Sequence, residues 1–335
     1  MLREVGGSRV RAMTTVRHHA VVFALASWLI AGAGALAIVQ ATALTQNQQN
    51  RQDLPTFTAS ESVRRVVLYA TVRGEDGFVA DLTADDFTVL EDGKQQKILE
   101  FQREDVPVAI GLLVDNSRSM LTRRGEVVEA AKTFVRATNP QDEIFVLHFN
   151  ERLSYGLPQD VPFTADRALL GEALDRMQLD GQTALYAAIA EGLSHLGKSN
   201  LTKKALIVIS DGGDNVSKIK FDEVVKSADL SGASFYGIGI YDPDDGDADP
   251  KTLRNLANRT GGESFFPERL ADVRSLCERI ALTMRNQYTV SYSPPSVDTR
   301  PTYHRIEVKV KDPKKRKLTV RTRTGYYTMP APPLE

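Results

Sequence analysis

The sequence predicts an α/β protein: a doubly wound, mostly parallel six-stranded sheet, flanked by a β-sandwich built from N- and C-terminal segments. Two observations carry this. From residue 108 onward, short fully apolar runs at 109–115, 143–149, 205–210 and 233–240 alternate with amphipathic stretches, the pattern of parallel strands covered on both faces by helices. Before and after that region, at 59–105 and 286–328, the apolar period shortens to two residues, as in half-buried antiparallel strands.

The elements follow in order. Arg3, Arg9, Arg11 and Arg17 precede about twenty uncharged residues from Ala20 to Val39, which marks residues 1–44 as an export signal. Ala41-Thr42-Ala43 fits a cleavage site, yet the apolar run also reaches the roughly 18 residues of a spanning helix, so cleaved peptide and retained anchor both stand. No cysteine follows closely, which excludes a bacterial-type lipid anchor. Residues 45–58 are polar and read as a linker. In the first β segment, strands are expected at 63–72, 87–91 and 95–101, with Asp92-Gly93 as a hairpin turn. Helices are expected at 126–136, 166–177, 184–196, 221–228, 250–258 and 272–285 within the domain at 106–285. Strands return at 288–292, 304–310 and 318–327, and 329–335 is a tail. Neither β half is large enough to stand alone, so the two are expected to pair, with the α/β domain inserted between them.

Composition narrows function only by exclusion. The chain has 335 residues, 42% apolar and 25% charged, with a net charge of -1, so no bulk field drives it onto nucleic acid or an anionic membrane. Its one cysteine, Cys277, sits on an apolar helical stripe with Val273, Ile280 and Met284 and reads as a core residue.

The residues that carry chemistry lie where open α/β sheets place ligands, at the carboxyl ends of strands. Asp115-Asn116-Ser117-Arg118-Ser119 follows the first apolar strand. Its alternate positions present one carboxylate and two hydroxyls to one side, hard oxygen donors suited to Mg²⁺ or Ca²⁺. Thr183 precedes a helix, and Asp211 opens Asp211-Gly212-Gly213-Asp214-Asn215 after another apolar strand.

This order, DxSxS, then Thr, then Asp-Gly, resembles the metal-ion-dependent adhesion site of von Willebrand factor A and integrin inserted domains, which are Rossmann-type. With Asp86-Phe87-Thr88-Val89-Leu90-Glu91-Asp92-Gly93 and Thr324-Gly325-Tyr326-Tyr327, the chain is similar over residues 60 to 328 to the von Willebrand factor A-related family common in Acidobacteria. The resemblance implies that Ser117, Ser119 and Thr183 contact a metal, with Asp115 and Asp211 holding it partly through water. Asn116, Arg118, Gly212 and Asp214 would form the surrounding shell or rim. Mg²⁺ is the implied ion, with Mn²⁺ or Ca²⁺ as alternatives, and three neutral hydroxyls would leave it seeking a carboxylate from a partner protein. Two departures stand out. Arg118 occupies a usual glycine position and would be strained if that turn needs positive φ. Ala187 replaces a frequent Asp and should affect the helix start.

Other signals are weaker. Asp242, Asp244, Asp245, Asp247 and Asp249 crowd one loop, but the calcium-loop register fails at Tyr241 and Thr252, so a solvated acidic loop is expected. Residues 305–323 hold nine Lys or Arg, yet alternate like a hairpin with a charged outer face rather than a nucleic-acid surface. A dehalogenase-type phosphatase would need a second Asp where Ser117 stands, and no histidine sits beside a plausible nucleophilic Ser in sequence, spatial proximity being left open. The expectation is an exported, non-enzymatic module, periplasmic, secreted or anchored facing outward, that captures a partner's Asp or Glu. It would bind no nucleic acid and touch a membrane only through the N-terminal segment. A metal-independent envelope scaffold and a metal-assisted hydrolase are the alternatives.

Overall fold

The structure is a computed structural model and describes residues 65–176, 181–241, 249–295 and 300–328. The expected export segment, linker and tail, and four of the five acidic-loop aspartates, lie outside the described residues. Among the described residues no helix is long and apolar enough to cross a membrane.

The chain runs through β1 (Val66–Gly74), β2 (Gly77–Phe78), β3 (Phe87–Glu91), β4 (Lys94–Gln96) and β5 (Glu100–Gln102). Between β3 and β4, Glu91 faces Lys94 across Asp92 and Gly93, whose φ values of 49° and 81° are the left-handed pair a tight hairpin turn needs. The α/β part follows: β6 (Val108–Asp115), α1 (Arg124–Ala137), β7 (Glu143–Phe149), β8 (Leu153–Tyr155), α2 (Arg167–Asp175), α3 (Leu185–Leu196), β9 (Lys203–Ser210), α4 (Phe221–Ser231), β10 (Ser234–Gly239), α5 (Pro250–Thr260), β11 (Ser264–Phe265) and α6 (Val273–Arg285). Its strands form one six-stranded sheet in the order β11-β10-β9-β6-β7-β8. All pairs are parallel except β7 with β8, so the sheet is mixed at one edge.

Every residue of β6 is buried, which is why its sequence shows no alternation. Leaving β6 the chain goes to β7 on one side and returns to β9 on the other, so the strand order reverses around β6. The crevice at that reversal opens at the carboxyl ends of β6 and β9, at Asp115 and Ser210.

The chain closes with β12 (Gln287–Tyr292), β13 (Thr302–Val310), β14 (Thr319–Arg321) and β15 (Gly325–Thr328). Two antiparallel sheets result, β14-β1-β12-β5 with β2 beside β1, and β15-β13-β3-β4. Each mixes strands from before and after the α/β part, through β1 with β12 and β3 with β13. Both contribute to one apolar cluster that includes Leu68, Val72, Val89, Tyr288, Val290 and Ile306. Along β13, Ile306 is buried while Arg305, Glu307 and Lys309 are exposed, the alternation of a half-buried strand. The strands expected at 95–101 and 318–327 are each broken in two, because the chain crosses there from one sheet to the other.

A buried cation marks the junction with the α/β part. Lys203, 5% exposed, donates from Nζ to the Met284 carbonyl at 2.6 Å and lies 5.1 Å from the Tyr69 ring centre. Burial, and then the nearby Arg285, pull its pKa down to about 8. An unfolded lysine keeps its proton to about pH 10.4. Between those values the unfolded chain holds a proton the folded one has lost, so stability at this residue rises with pH. Below pH 8 the cost of the buried charge is fully present. Against a Lys203→Met variant, the wild type should therefore gain about 1–3 kcal/mol between pH 8 and 10, read from urea midpoints at both pH values.

Candidate functional site: an oxygen-rich cavity at three loops

Asp115 is the last residue of β6 and is completely buried. One of its oxygens accepts the Ser117 backbone N–H at 2.8 Å, and the other accepts the Ser210 hydroxyl at 2.6 Å. Its carboxylate therefore folds the following turn back over the strand end, so that Ser117 and Ser119 face the same side. Their hydroxyl oxygens are 3.0 Å apart, and the Ser119 hydroxyl donates to Asp211 Oδ2 at 2.5 Å. A short 3₁₀ turn, Arg118–Arg123, leads on into α1.

Asp211 lies one residue past β9, with its other oxygen accepting the Gly213 N–H at 3.2 Å. Gly212 has φ +84°, and a Cβ there would stand 2.6 Å from the Asp249 carbonyl, so this loop requires glycine on two counts. The third loop carries Thr183. It is held by a reciprocal pair, the Thr183 N–H donating to Asn215 Oδ1 at 2.8 Å and the Asn215 N–H donating to the Thr183 carbonyl at 3.0 Å. Ser117, Ser119, Thr183 and Asp211 all line one open cavity of about 510 Å³.

The electrostatics are those of a site short of positive charge. Burial, and after it the neighbouring Asp211 carboxylate, push Asp115 up to about 7. Two buried like charges are unfavourable without a counter-ion. The donor set fits a hard divalent cation, being oxygen only, two carboxylates and three hydroxyls. The Ser117 to Ser119 separation of 3.0 Å also matches the edge of roughly 3 Å between neighbouring corners of an octahedron with Mg–O distances of about 2.1 Å.

The surrounding residues divide differently from the sequence-based expectation. Arg118 has no positive φ, so the strain expected at a usual glycine position is absent. Its backbone N–H donates to the Gly181 carbonyl at 3.2 Å, and its exposed side chain lines the cavity. Asn116, expected in the surrounding shell or rim, is buried and is among the residues lining a neighbouring cavity rather than this one. Asp214 serves the start of α3: its Oδ1 accepts the Tyr186 N–H at 2.9 Å and the Ser217 hydroxyl at 2.6 Å, while Ser217 accepts the Ala187 N–H at 3.0 Å. The helix start is thus capped from another loop, which removes the consequence expected from Ala187. Asp249 caps α5 by accepting the Lys251 N–H at 2.9 Å. Sequence reasoning missed Ser210, which pins Asp115, together with Asn215 and Glu151, which line the cavity. A separate Glu91, Asp92 and His304 group in the antiparallel sheets was missed too; there Asp92 accepts from His304 at 2.8 Å and Glu91 accepts from Tyr326 at 3.0 Å.

An uncharacterized protein of Borreliella burgdorferi is 30% identical over 123 residues, covering 30% of this chain and 36% of that protein, so the chain spans about a third of that relative's length. A von Willebrand factor type A structure from Catenulispora acidiphila gives a TM-score of 0.49 at 13% identity, over 79% of this chain and 75% of that one. The vWF domain of the type V pili tip protein Mfa5 from Porphyromonas gingivalis gives 0.44 at 14% identity, over 54% and 95%. The model of the von Willebrand factor type A domain matches residues 109–279, about half of the 335 residues and all three loops of the cavity, and the chain belongs to that family.

Proposed function

We propose that the protein captures an acidic group on a partner protein through a divalent cation, Mg²⁺ by its chemistry, with Mn²⁺ or Ca²⁺ as alternatives. The observation that supports this reading is the convergence of Ser117, Ser119, Thr183 and Asp211 on one open cavity, above a buried Asp115. Ser117, Ser119 and Thr183 would hold the ion directly, and Asp115 and Asp211 would hold it partly through water, so that neutral hydroxyls leave it short of negative charge. When bound, the cation supplies a positive corner that a partner's Asp or Glu completes. Asp115 is fixed by Ser117 and Ser210 before any ligand arrives, so little reorganisation is needed. Arg118 on the rim adds attraction for an acidic partner.

Binding rather than catalysis is favoured because, among the described residues lining the cavity, none is a histidine or other neutral base beside a nucleophile. The arginine-led apolar segment at 1–44 would place the domain outside the cytoplasmic membrane, cleaved or retained as an anchor. The test is binding of immobilised Asp-containing peptides in millimolar Mg²⁺ and in chelator. Capture should require Mg²⁺ and fall about 100-fold or more in Asp115→Ala. Equal capture in chelator would favour a metal-independent scaffold, and peptide turnover lost in the same variant would favour a hydrolase.

A further inference from the structure

We infer that Glu91, Asp92 and His304, in the antiparallel sheets, bind a zinc ion that clasps the β3–β4 turn to the C-terminal strands. This site is separate from the cation cavity and does not rest on the proposed function.

Strand pairing brings the three residues together. Glu91 ends β3 and pairs with Ile306 of β13, and Asp92 follows it in the turn, its N–H donating to the Arg305 carbonyl at 2.9 Å. His304 lies two residues before Ile306 on β13 and pairs with Tyr326 of β15. One ligand atom from each of the three lies within 4.8 Å of the others. Each residue also spends its remaining polar atom on the protein. Asp92 Oδ1 accepts the Arg305 N–H at 2.9 Å, and Glu91 Oε2 accepts the Tyr292 and Tyr326 hydroxyls at 2.5 and 3.0 Å. His304 Nε2 lies 3.4 Å from the Thr328 hydroxyl oxygen. Turned toward one another are Glu91 Oε1, Asp92 Oδ2 and His304 Nδ1.

This centre calls for positive charge. Both tyrosine hydroxyls donate to the same oxygen of Glu91, so Oε1, on a side chain 2% exposed, is left facing His304 Nδ1 at 3.8 Å, beyond hydrogen-bond reach. The Thr328 hydroxyl donates to the Thr302 carbonyl at 3.3 Å, which leaves its oxygen to accept from His304 Nε2 and favours the ring proton there. Nδ1 then aims a lone pair at two carboxylates, 2.8 Å from Asp92 Oδ2. A cation between them satisfies all three atoms. One imidazole nitrogen with two carboxylates suits Zn²⁺, whereas Mg²⁺ and Ca²⁺ take oxygen ligands. A tetrahedral zinc with bonds of about 2.0–2.1 Å sets neighbouring ligand atoms about 3.3 Å apart. That spacing falls between the 2.8 and 3.8 Å found at Nδ1. The Asp92 side chain is 49% exposed, which opens the group to solvent for the ion's entry and for a water as fourth ligand. The contacts to Arg305, Tyr292, Tyr326 and Thr328 orient the ligands as outer partners of a metal do. Because Tyr292 belongs to β12 in the other antiparallel sheet, the ion would couple both sheets.

The experiment titrates the purified full-length protein with Zn²⁺ by calorimetry, in millimolar Mg²⁺ so that the first cavity is already supplied. Zinc should bind saturably, one ion per chain. Asp92→Asn and His304→Gln should each weaken it ~10-fold or more, at least the loss that removing an outer partner of a metal brings. Asp115→Asn should leave zinc affinity unchanged. Asp92→Asn alters only an exposed turn side chain, and asparagine tolerates the left-handed φ of 49° there, so this variant decides the matter if His304→Gln does not fold. A zinc-dependent shift of the His304 Nδ1 resonance in the wild type supports the site as well. No zinc binding, or zinc affinity unmoved in Asp92→Asn, overturns the proposal and leaves a hydrogen-bonded ion pair. Affinity lost in Asp115→Asn alone places the zinc in the first cavity and overturns it too.

Discussion

Asp115→Asn gives a protein that is more stable than the wild type without metal and indifferent to Mg²⁺. The side chain is wholly buried, and its carboxylate is opposed first by burial and then by Asp211, which together raise its pKa to about 7. A carboxyl group titrates near 4 in the unfolded chain. Between these values the folded form holds a proton that the unfolded form has released, so stability at this residue is fully present below about pH 4 and is lost as pH rises through 7. Asparagine removes that loss. Its oxygen still accepts the Ser117 N–H, and its NH₂ can donate to Ser210 once that hydroxyl turns to accept. The metal-free variant should therefore exceed the wild type by about 2–4 kcal/mol at pH 7.5 and by little at pH 4. Mg²⁺ at a hundred times its Kd should stabilise the wild type by about 2.7 kcal/mol and leave the variant unmoved. Thermal unfolding with Mg²⁺ and with chelator measures both. A variant less stable than the metal-free wild type at pH 7.5 would mean that Asp115 is a structural anchor rather than a ligand held against its own electrostatics.

The order of Asp115, Ser117, Ser119, Thr183 and Asp211 was legible because a site at strand ends uses residues whose setting the apolar strands announce. The rest depends on pairing, which no local pattern records. Asn116 and Asp214 sit inside the Asp115–Ser119 and Asp211–Asn215 motifs yet serve other neighbours, one lining the neighbouring cavity and the other capping α3. Glu151 is close to the cavity only because β7 pairs with β6, and nothing in its local sequence marks it. Among the strands, β6, β7, β9 and β10 were visible as continuous apolar runs, whereas β8 and β11, of three and two residues, are too short to show a period. Alternation persists through 318–327 although the chain changes sheets, because both sheets face the same apolar cluster.

The strongest structural dependence lies at the opposite end of β6. Asp142 is fully buried and accepts the Val108 N–H at 2.9 Å, the Asn139 N–H at 2.9 Å and the Arg285 guanidinium. It joins the first residue of β6, the turn into β7 and the last residue of α6, where the chain enters and leaves the α/β part. Asp142→Ala leaves two backbone donors and one mostly buried cation without their acceptor. Breaking a buried pair from one side costs about 3–5 kcal/mol, a large share of the roughly 5–15 kcal/mol that holds a domain folded. Arg285 keeps Asp105 at 2.6 Å, which should hold the loss toward the lower end. Asp142→Asn, retaining one acceptor, should lose about half as much. Urea unfolding checks the order, and a loss below about 1 kcal/mol for the alanine variant would show that solvent and Asp105 replace the carboxylate. Since an eight-residue strand separates Val108 from Asp115 by about 23 Å, the surviving folded fraction should respond to Mg²⁺ as the wild type does. Loss of stability without loss of the metal response would separate the anchoring carboxylate from the ligating one.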